Sequence, residues 1–178
     1  MTVTIDAIFH AQKRLRAFQN WGIPERGTDY SWFDAALEIE GVADTGLVLH
    51  GGCYARRPNE HVTFELRLAR APGRQALPLE RLDWRPLDGG HSNPRRPRSA
   101  WSGRRIHGTH LHAFELNWSE TERRMRSGGL STARDVDVFL GSFADVRTFV
   151  GSRLRIENID VVAPPPWEYD LFSQGPTP

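Results

Sequence analysis

Apolar and polar residues alternate along much of the first half of the chain. In the clearest stretch, Val62, Phe64 and Leu66 are separated by the polar residues Thr63 and Glu65. A period of two is typical of a strand with one buried face. The same alternation predicts strands at 33–39, 61–69 and 78–85, a mostly apolar run predicts one at 46–50, and 109–116 is a further candidate. Because the connections between the first four are short, an antiparallel meander is favoured over parallel crossovers.

Helical spacing of apolar residues replaces the alternation near both ends of the chain. It predicts an N-terminal helix over residues 4–20 and a C-terminal helix over 142–151 that Ser142 caps. A capping-box pattern predicts a short helix over 119–127. Renewed alternation at 153–157 predicts a final strand.

These elements predict an α+β fold, with an antiparallel sheet of about five or six strands flanked by an N-terminal and a C-terminal helix. We expect a single α+β domain over residues 1–162, followed by a Pro-rich aromatic tail over 163–178. The aromatic residues Trp167, Tyr169 and Phe172 favour packing of the tail against the domain.

Composition bounds the class of protein. A chain of 178 residues suits one hydrophobic core, and 39% apolar residues with a net charge of +1 exclude a disordered chain. No apolar run reaches the roughly 18 residues of a membrane span, and the charged N-terminal region predicts no signal peptide. A single cysteine, Cys53, fits a reducing compartment. We therefore expect a cytoplasmic protein without a membrane partner.

The near-neutral charge conceals an uneven distribution of arginine. Among the 23 basic residues only Lys13 is a lysine, and the interval from His91 to His107 contains no Asp or Glu. The arginines of this interval are Arg95, Arg96, Arg98, Arg104 and Arg105. One guanidinium group can bind two oxygens of a phosphate or a carboxylate at the same time, so this loop can bind an anionic partner. The alternative is a solvated loop.

Histidines cluster in the same region. Four of the seven histidines are His91, His107, His110 and His112. Residues i and i+2 of a strand share a face, so His110 and His112 point the same way if 109–116 is a strand. Imidazole ordinarily titrates near neutral pH and can transfer protons. We expect His110, His112 and His91 to be catalytic, and substrate to contact Asn93, Arg104, Arg105, Asn117 and Trp118.

A metal centre is one alternative use of these histidines. His110 and His112 would be two ligands, with His91 or Glu115 as the third. The H-x-H spacing with a nearby Glu resembles the first half of a cupin motif. That motif requires another histidine later in the chain, and none follows His112. We therefore expect no metal and no other cofactor.

Two further resemblances concern phosphodiester chemistry. The triplets His61-Val62-Thr63 and His107-Gly108-Thr109 resemble the signature of two-histidine (H-x-T) phosphoesterases, although the helix that separates them in that fold is missing. A longer pattern over residues 91–117 is similar to one in small uncharacterised bacterial and mobile-element proteins. It reads His91-x-Asn93, Gly103-x-x-Ile106-x-Gly108-x-His110-x-His112-x-Phe114 and Asn117. Related motifs occur in some proposed toxin–antitoxin RNases, so the resemblance implies a toxin-like or defence-associated protein.

Three hypotheses about function remain open. The first is metal-independent cleavage of a phosphodiester bond in RNA or a nucleotide. His110 and His112 would be acid and base, His91 and Asn93 would orient the substrate, and arginines would offset the phosphate charge. The second is a non-enzymatic, anti-defence inhibitor whose arginine-rich surface binds a protein of a nucleic-acid-handling complex; a homodimer is compatible with either. The third is structural, because His and Asn side chains can hydrogen-bond the long loop to the domain.

Overall fold

The computed structural model describes residues 4–69, 75–96, 99–126 and 129–169, and it confirms an α+β fold. The strands are β1 (Arg14–Leu15), β2 (Tyr30–Ile39), β3 (Val42–Tyr54), β4 (Val62–Leu68), β5 (Leu77–Trp84), β6 (Gly90–Ser92), β7 (Arg105–His107), β8 (His110–His112), β9 (Trp118–Ser119), β10 (Arg124–Met125) and β11 (Arg134–Asp135). The helices are α1 (Ile5–His10), α2 (Phe114–Asn117) and α3 (Phe143–Leu154), with a 3-10 turn at Ile159–Val161.

One antiparallel sheet dominates the molecule. Its seven strands run in the order β1-β2-β3-β4-β5-β8-β11, so it is slightly larger than the sequence predicts. The meander from β2 to β5 follows from the alternation, since Phe64 of β4 lies between Gly51 of β3 and Leu82 of β5 on the core face. Gly51 is required there because a Cβ would lie 2.1 Å from the ring of Phe33.

The C-terminal helix α3 covers the core face of the sheet. Ser142 caps it as predicted, and the cap is a full capping box, with Ser142 Oγ accepting from the Asp145 amide at 3.2 Å and Asp145 Oδ2 accepting from the Ser142 amide at 2.9 Å. The helix continues to Leu154 rather than ending at residue 151, and residues 153–157 form no strand. None of the helices in the described ranges is long and apolar enough to cross a membrane.

The N-terminal helix is much shorter than the predicted 4–20. It ends at His10 because the Lys13 ammonium is buried and donates to carbonyl oxygens at Phe9 (2.6 Å), Ala11 (2.8 Å) and Leu154 (3.1 Å). These bonds hold the chain against the end of α3, and β1 then pairs with β2. A tertiary contact thus overrides the helical spacing.

The short helix predicted at 119–127 is also wrong. Ser119 Oγ accepts the Glu122 amide at 3.4 Å, but this contact belongs to a turn between β9 and β10. The hairpin pairs Trp118 with Met125, and both side chains are buried. Burial of these two large side chains favours the hairpin over a short helix.

The first part of the tail packs on the domain. Trp167 lies edge-on to Phe143 with ring centroids 6.1 Å apart, and the Glu168 amide donates to the Ala55 carbonyl at 2.8 Å. Trp21 Nε1 donates to the Ala163 carbonyl at 2.9 Å. Phe172 lies outside the described residues.

A buried ion pair joins the sheet to α3. Glu80 points from β5 into the core, where its carboxylate accepts two N–H bonds from Arg153 at 2.6 Å and the Phe114 amide at 2.8 Å. Burial raises the pKa of Glu80, and the hydrogen bonds from Arg153 oppose that rise. The pair stabilises the fold only while both partners are present.

We predict that Arg153→Ala lowers the free energy of unfolding by about 3–5 kcal/mol, because it leaves the Glu80 carboxylate buried without a counter-charge. Urea denaturation followed by tryptophan fluorescence measures the change. Arg124→Ala is the control, since Arg124 pairs with Glu122 on the surface, and a loss within about 0.5 kcal/mol is expected there. Equal losses in the two variants would contradict the role given to the buried pair.

Candidate active site on the polar face of the sheet

The face of the sheet opposite the core carries polar side chains in two rows that cross the strands. Cα pairing places one row in the order Asp34, His50, Glu65, Arg81 and His112. The second row contains Gly52, Thr63, Asp83 and His110. Side chains of directly opposed residues lie within contact distance. The sheet register therefore gathers residues from separate parts of the sequence.

A polar cavity of about 320 Å³ opens over these rows, and we call it the histidine pocket. Its lining is rich in ionisable side chains, namely His50, His61, His91, His110, Arg67, Arg81, Glu65, Asp83 and Asp88. A larger cavity of about 700 Å³ lies beside β2, but none of the histidines lines it. We consider the histidine pocket the candidate active site because the groups able to transfer protons converge there.

Asp83 holds the floor of the pocket together. Its Oδ2 lies 3.3 Å from Nε2 of both His110 and His112 and accepts from Arg81 Nε at 2.9 Å. Thr63 donates to the other carboxylate oxygen at 2.9 Å. Burial alone would raise the pKa of Asp83, but the bonds from the two histidines and the charge of Arg81 hold it well below its usual range. Asp83 is therefore ionised at neutral pH.

The structure places His112 behind the pocket wall. Its side chain is 1% exposed, and Nε2 contacts Arg81 Nη2 at 2.9 Å. Burial lowers the pKa of His112 to about 4, although the bond with Asp83 opposes the shift. The ring is therefore neutral at pH 7. Its Nδ1 is buried and has no hydrogen-bond partner among the residues that the structure describes.

His91 and His110 line the pocket itself, with ring centroids 5.7 Å apart. His91 Nε2 donates to the Ser131 carbonyl at 2.9 Å, and His110 Nδ1 donates to the Gly108 carbonyl at 2.8 Å. A carbonyl can only accept, so each bond places a proton on the nitrogen that makes it. Nδ1 of His91 has no partner among the residues that the structure describes, whereas Nε2 of His110 faces the Asp83 carboxylate at 3.3 Å. These two nitrogens can exchange protons or bind a ligand.

Asn93 and Asn117 anchor the chain around residues 131–133. Asn93 exchanges two hydrogen bonds of 2.7 Å with the backbone of Ala133. Asn117 donates to the Thr132 carbonyl at 2.8 Å and accepts its amide at 2.9 Å. Both side chains are buried and neither lines the histidine pocket. They position the segment whose Ser131 carbonyl orients His91, as the structural hypothesis expects.

The remaining predicted substrate contacts lie outside the pocket. Arg104 lies over the Trp101 ring, with its guanidinium carbon 5.3 Å from the ring centroid. Arg105 donates to Ser92 Oγ at 2.9 Å and to the Asp88 carbonyl at 3.3 Å, so it reaches only the rim. Trp118 is buried and stacks on Phe114 at 5.1 Å, which leaves no face for a base. Arg98 lies outside the described residues.

Sequence reasoning missed one of the four histidines that line the pocket, His50. His50 Nδ1 lies 2.7 Å from Asp34 Oδ1, and its ring stacks near Trp32 at 6.1 Å between centroids. Because the carboxylate can only accept, it fixes the proton on Nδ1 and leaves Nε2 as an acceptor. The alternation in 33–39 and 46–50 gives the strands but not their register, so the pairing of these residues is not visible in the sequence.

The pocket depends on two other residues without a sequence signal. A Cβ at Gly52 would lie 1.8 Å from the Tyr30 hydroxyl, so glycine allows Tyr30 to reach across β3. Burial raises the pKa of Tyr30 to about 12, and the hydroxyl remains a donor at neutral pH. Tyr30 lines the histidine pocket.

The two H-x-T triplets do not form a matched pair. His61 and Thr63 line the pocket, whereas His107 is exposed on β7 outside it. The three histidines considered as metal ligands, in contrast, do come together in the structure. One ring nitrogen each from His91, His110 and His112 lies within 4.8 Å of the others. Glu115, the other third ligand considered, instead pairs with Arg153 at 2.6 Å.

We predict that Asn117→Ala lowers the free energy of unfolding by about 2–4 kcal/mol, because it leaves buried backbone groups of Thr132 and Ala113 without partners. Thermal and urea denaturation measure the loss. His107→Ala, on an exposed position, is the control and should change stability by no more than about 0.5 kcal/mol. A stable Asn117→Ala protein that has lost substrate binding would instead support the substrate contact expected from the sequence.

Comparison with known proteins adds no relative. No protein-family model, curated protein or solved structure matches the chain. The function of the histidine pocket is therefore inferred from its geometry and its chemistry.

Proposed function

We propose that this chain cleaves a phosphodiester bond in RNA or in a nucleotide by proton transfer between histidines of the pocket. The observation that carries the proposal is the pair His91 and His110. Their rings lie 5.7 Å apart at the pocket wall, and each bonds one nitrogen to a backbone carbonyl. The other nitrogen of His91 has no partner among the described residues, and that of His110 faces Asp83 at 3.3 Å. Two imidazoles at this separation can act on both sides of one phosphate.

Two arginines in the pocket supply the positive charge that a phosphate requires. Arg81 uses Nε and Nη2 for Asp83 and His112, and Arg67 uses Nε for Glu65. Nη1 of Arg81 and Nη2 of Arg67 have no partner within the described part of the chain. These groups can bind phosphate oxygens and stabilise the charge that develops on them during attack.

The reaction follows from the available nitrogens. His91 Nδ1 takes the proton of a ribose 2′-hydroxyl, and the resulting oxygen attacks the adjacent phosphorus. The bond from phosphorus to the 5′-oxygen breaks as His110, in its imidazolium form, gives that oxygen a proton from Nε2. The products are a 2′,3′-cyclic phosphate and a free 5′-hydroxyl, and proton exchange with water restores both rings. Asp83 stabilises the imidazolium form of His110.

The size of the pocket limits the substrate. A volume of about 320 Å³ is near the lower end of the roughly 300–1,000 Å³ of small-molecule sites. It suits one nucleotide or one unpaired position of an RNA strand rather than a duplex. The toxin-like or defence-associated role implied by the motif over residues 91–117 is compatible with such a substrate.

We predict that His91→Ala slows cleavage of a single-stranded RNA by about 10²–10⁴-fold, because it removes the proton acceptor. The assay uses the full chain with EDTA at neutral pH, and mass spectrometry identifies the cyclic phosphate. His91 is only partly buried, so the melting temperature should change little. His107→Ala is the matched control and should cleave at the wild-type rate.

A substrate lacking the 2′-hydroxyl gives an independent check. DNA of the same sequence should not be cleaved, because it has no internal nucleophile. Cleavage of that DNA, or equal rates for the wild type and His91→Ala, would contradict the mechanism.

An alternative function is stoichiometric binding without turnover. Its specific support is the exposure of Arg95 and Arg104 on the loop and of Arg105 at the start of β7, all outside the lining of the histidine pocket. A surface of this kind can bind the nucleic-acid site of a partner complex through its charge.

For this alternative, the double variant Arg104→Ala/Arg105→Ala should weaken the complex about tenfold or more, and added salt should weaken the wild-type complex. Binding is measured by calorimetry with a partner recovered from lysate and identified. His91→Ala should bind as the wild type does. Turnover of RNA by the isolated chain would exclude a purely stoichiometric role.

A further inference from the structure

We infer that His91, His110 and His112 bind a divalent transition-metal ion of the Zn²⁺ class, and that the bound ion blocks proton transfer in the histidine pocket. One ring nitrogen from each residue lies within 4.8 Å of those from the other two. Nitrogen ligands lie about 2.0–2.1 Å from Zn²⁺, so modest ring rotations bring the three nitrogens onto one ion. The group joins β6 to β8.

The hydrogen bonds around two of these rings match those of metal ligands. His91 Nε2 donates to Ser131 and His110 Nδ1 donates to Gly108, each to a backbone carbonyl. Histidines that bind metals almost always donate the other ring N–H to a carbonyl, a carboxylate or water. In the neutral rings these bonds place the lone pair on His91 Nδ1 and on His110 Nε2. An ion on His110 Nε2 would replace the 3.3 Å contact of that nitrogen with Asp83.

The third ring supplies an independent observation. Nδ1 of His112 is buried and has no partner among the residues that the structure describes. Buried polar atoms in folded proteins are nearly always satisfied. Coordination through Nδ1 would satisfy this nitrogen and would place the ring proton on Nε2, which can donate to Asp83 Oδ2 at 3.3 Å. Arg81 Nη2, now 2.9 Å from Nε2, would give up that contact because Nε2 would no longer accept.

The donor set and its surroundings define the class of ion. Imidazole nitrogens select Zn²⁺, Cu²⁺, Ni²⁺ and Fe²⁺ over Mg²⁺ and Ca²⁺, which prefer oxygen. The carboxylate of Asp83 contacts two of the three rings and offsets positive charge. His91 and His110 line the pocket, so an ion can enter from it and keep an open position facing it.

Binding of the ion and acid–base catalysis would use the same lone pairs. A nitrogen that coordinates Zn²⁺ cannot accept or donate a proton, so the ion should inhibit the proposed cleavage. Binding of the ion does not depend on the proposed cleavage activity, whereas inhibition of cleavage by the ion rests on that proposed function.

The test uses the full chain after treatment with EDTA and dialysis. Calorimetric titration with Zn²⁺ should show one ion bound per chain, and Co²⁺ should give the visible absorption of a low-coordinate nitrogen site. His91→Ala should raise the dissociation constant at least about tenfold. His107→Ala, an exposed histidine outside the group, should bind as the wild type does. His112 is not substituted, because loss of this buried side chain can unfold the domain. His91→Gln therefore serves as the second variant, and its melting temperature is measured as a check on folding.

Absence of saturable binding, or equal affinity in the wild type, His91→Ala and His91→Gln, would overturn the site. Cleavage measured separately in EDTA distinguishes this failure from failure of the proposed function. Cleavage in EDTA that Zn²⁺ suppresses supports both parts of the inference. If saturating Zn²⁺ leaves cleavage unchanged, the proposed inhibition by the bound ion is overturned. If cleavage requires Zn²⁺, the metal site is supported, but both the proposed inhibition by the ion and the metal-independent mechanism are overturned.

Discussion

The register between β3, β4, β5 and β8 is the constraint on which the rest of the molecule depends. Because side chains alternate between the faces of a strand, a shift of one residue would exchange the core row for the polar row. In the observed register Phe64 and Leu82 meet in the core, while Thr63, Asp83 and His110 meet on the opposite face. The energy of burying the apolar row therefore also fixes the geometry of the candidate site. The site needs no separate scaffold.

A polar face that is mostly buried is stable only if its charges are paired. Asp83 meets this condition through Arg81, His110 and His112, and its carboxylate remains ionised. The arrangement differs from the Glu80–Arg153 pair on the core face, where both carboxylate oxygens of Glu80 accept bonds from Arg153. On the polar face, Arg81 Nη1 and His112 Nδ1 have no partner among the residues that the structure describes. Unused polar groups beside a cavity are typical of binding sites, whereas fully satisfied ones are typical of structural pairs.

The sequence predicts the fold better than it predicts the site. Local alternation is enough to locate β2 to β5, and the Ser142 cap is enough to locate the start of α3. The helix at 4–20 and the short helix at 119–127 fail because burial of Lys13 and pairing of Trp118 with Met125 are tertiary effects. The histidine cluster was visible because its members are close in sequence. The Asp34–His50 pair was not, because only the register joins those positions. Asn93 and Asn117 also stand out because they lie near the histidines in sequence. Their side chains, however, bond to the backbone of residues 132 and 133 and do not reach the pocket.

The two uses of the histidine cluster are linked by the segment at residues 131–133. Asn93 and Asn117 hold this segment, and the Ser131 carbonyl fixes the proton of His91 on Nε2. In the neutral ring this bond places the lone pair on Nδ1, the nitrogen that a general base and a metal ligand both use. Protons and metal ions compete for such a nitrogen, so metal affinity must fall as the pH is lowered. The state of the cluster is then determined by the ratio of free ion to protons around it, and a domain with this geometry can be active in one condition and inhibited in another without any change of fold.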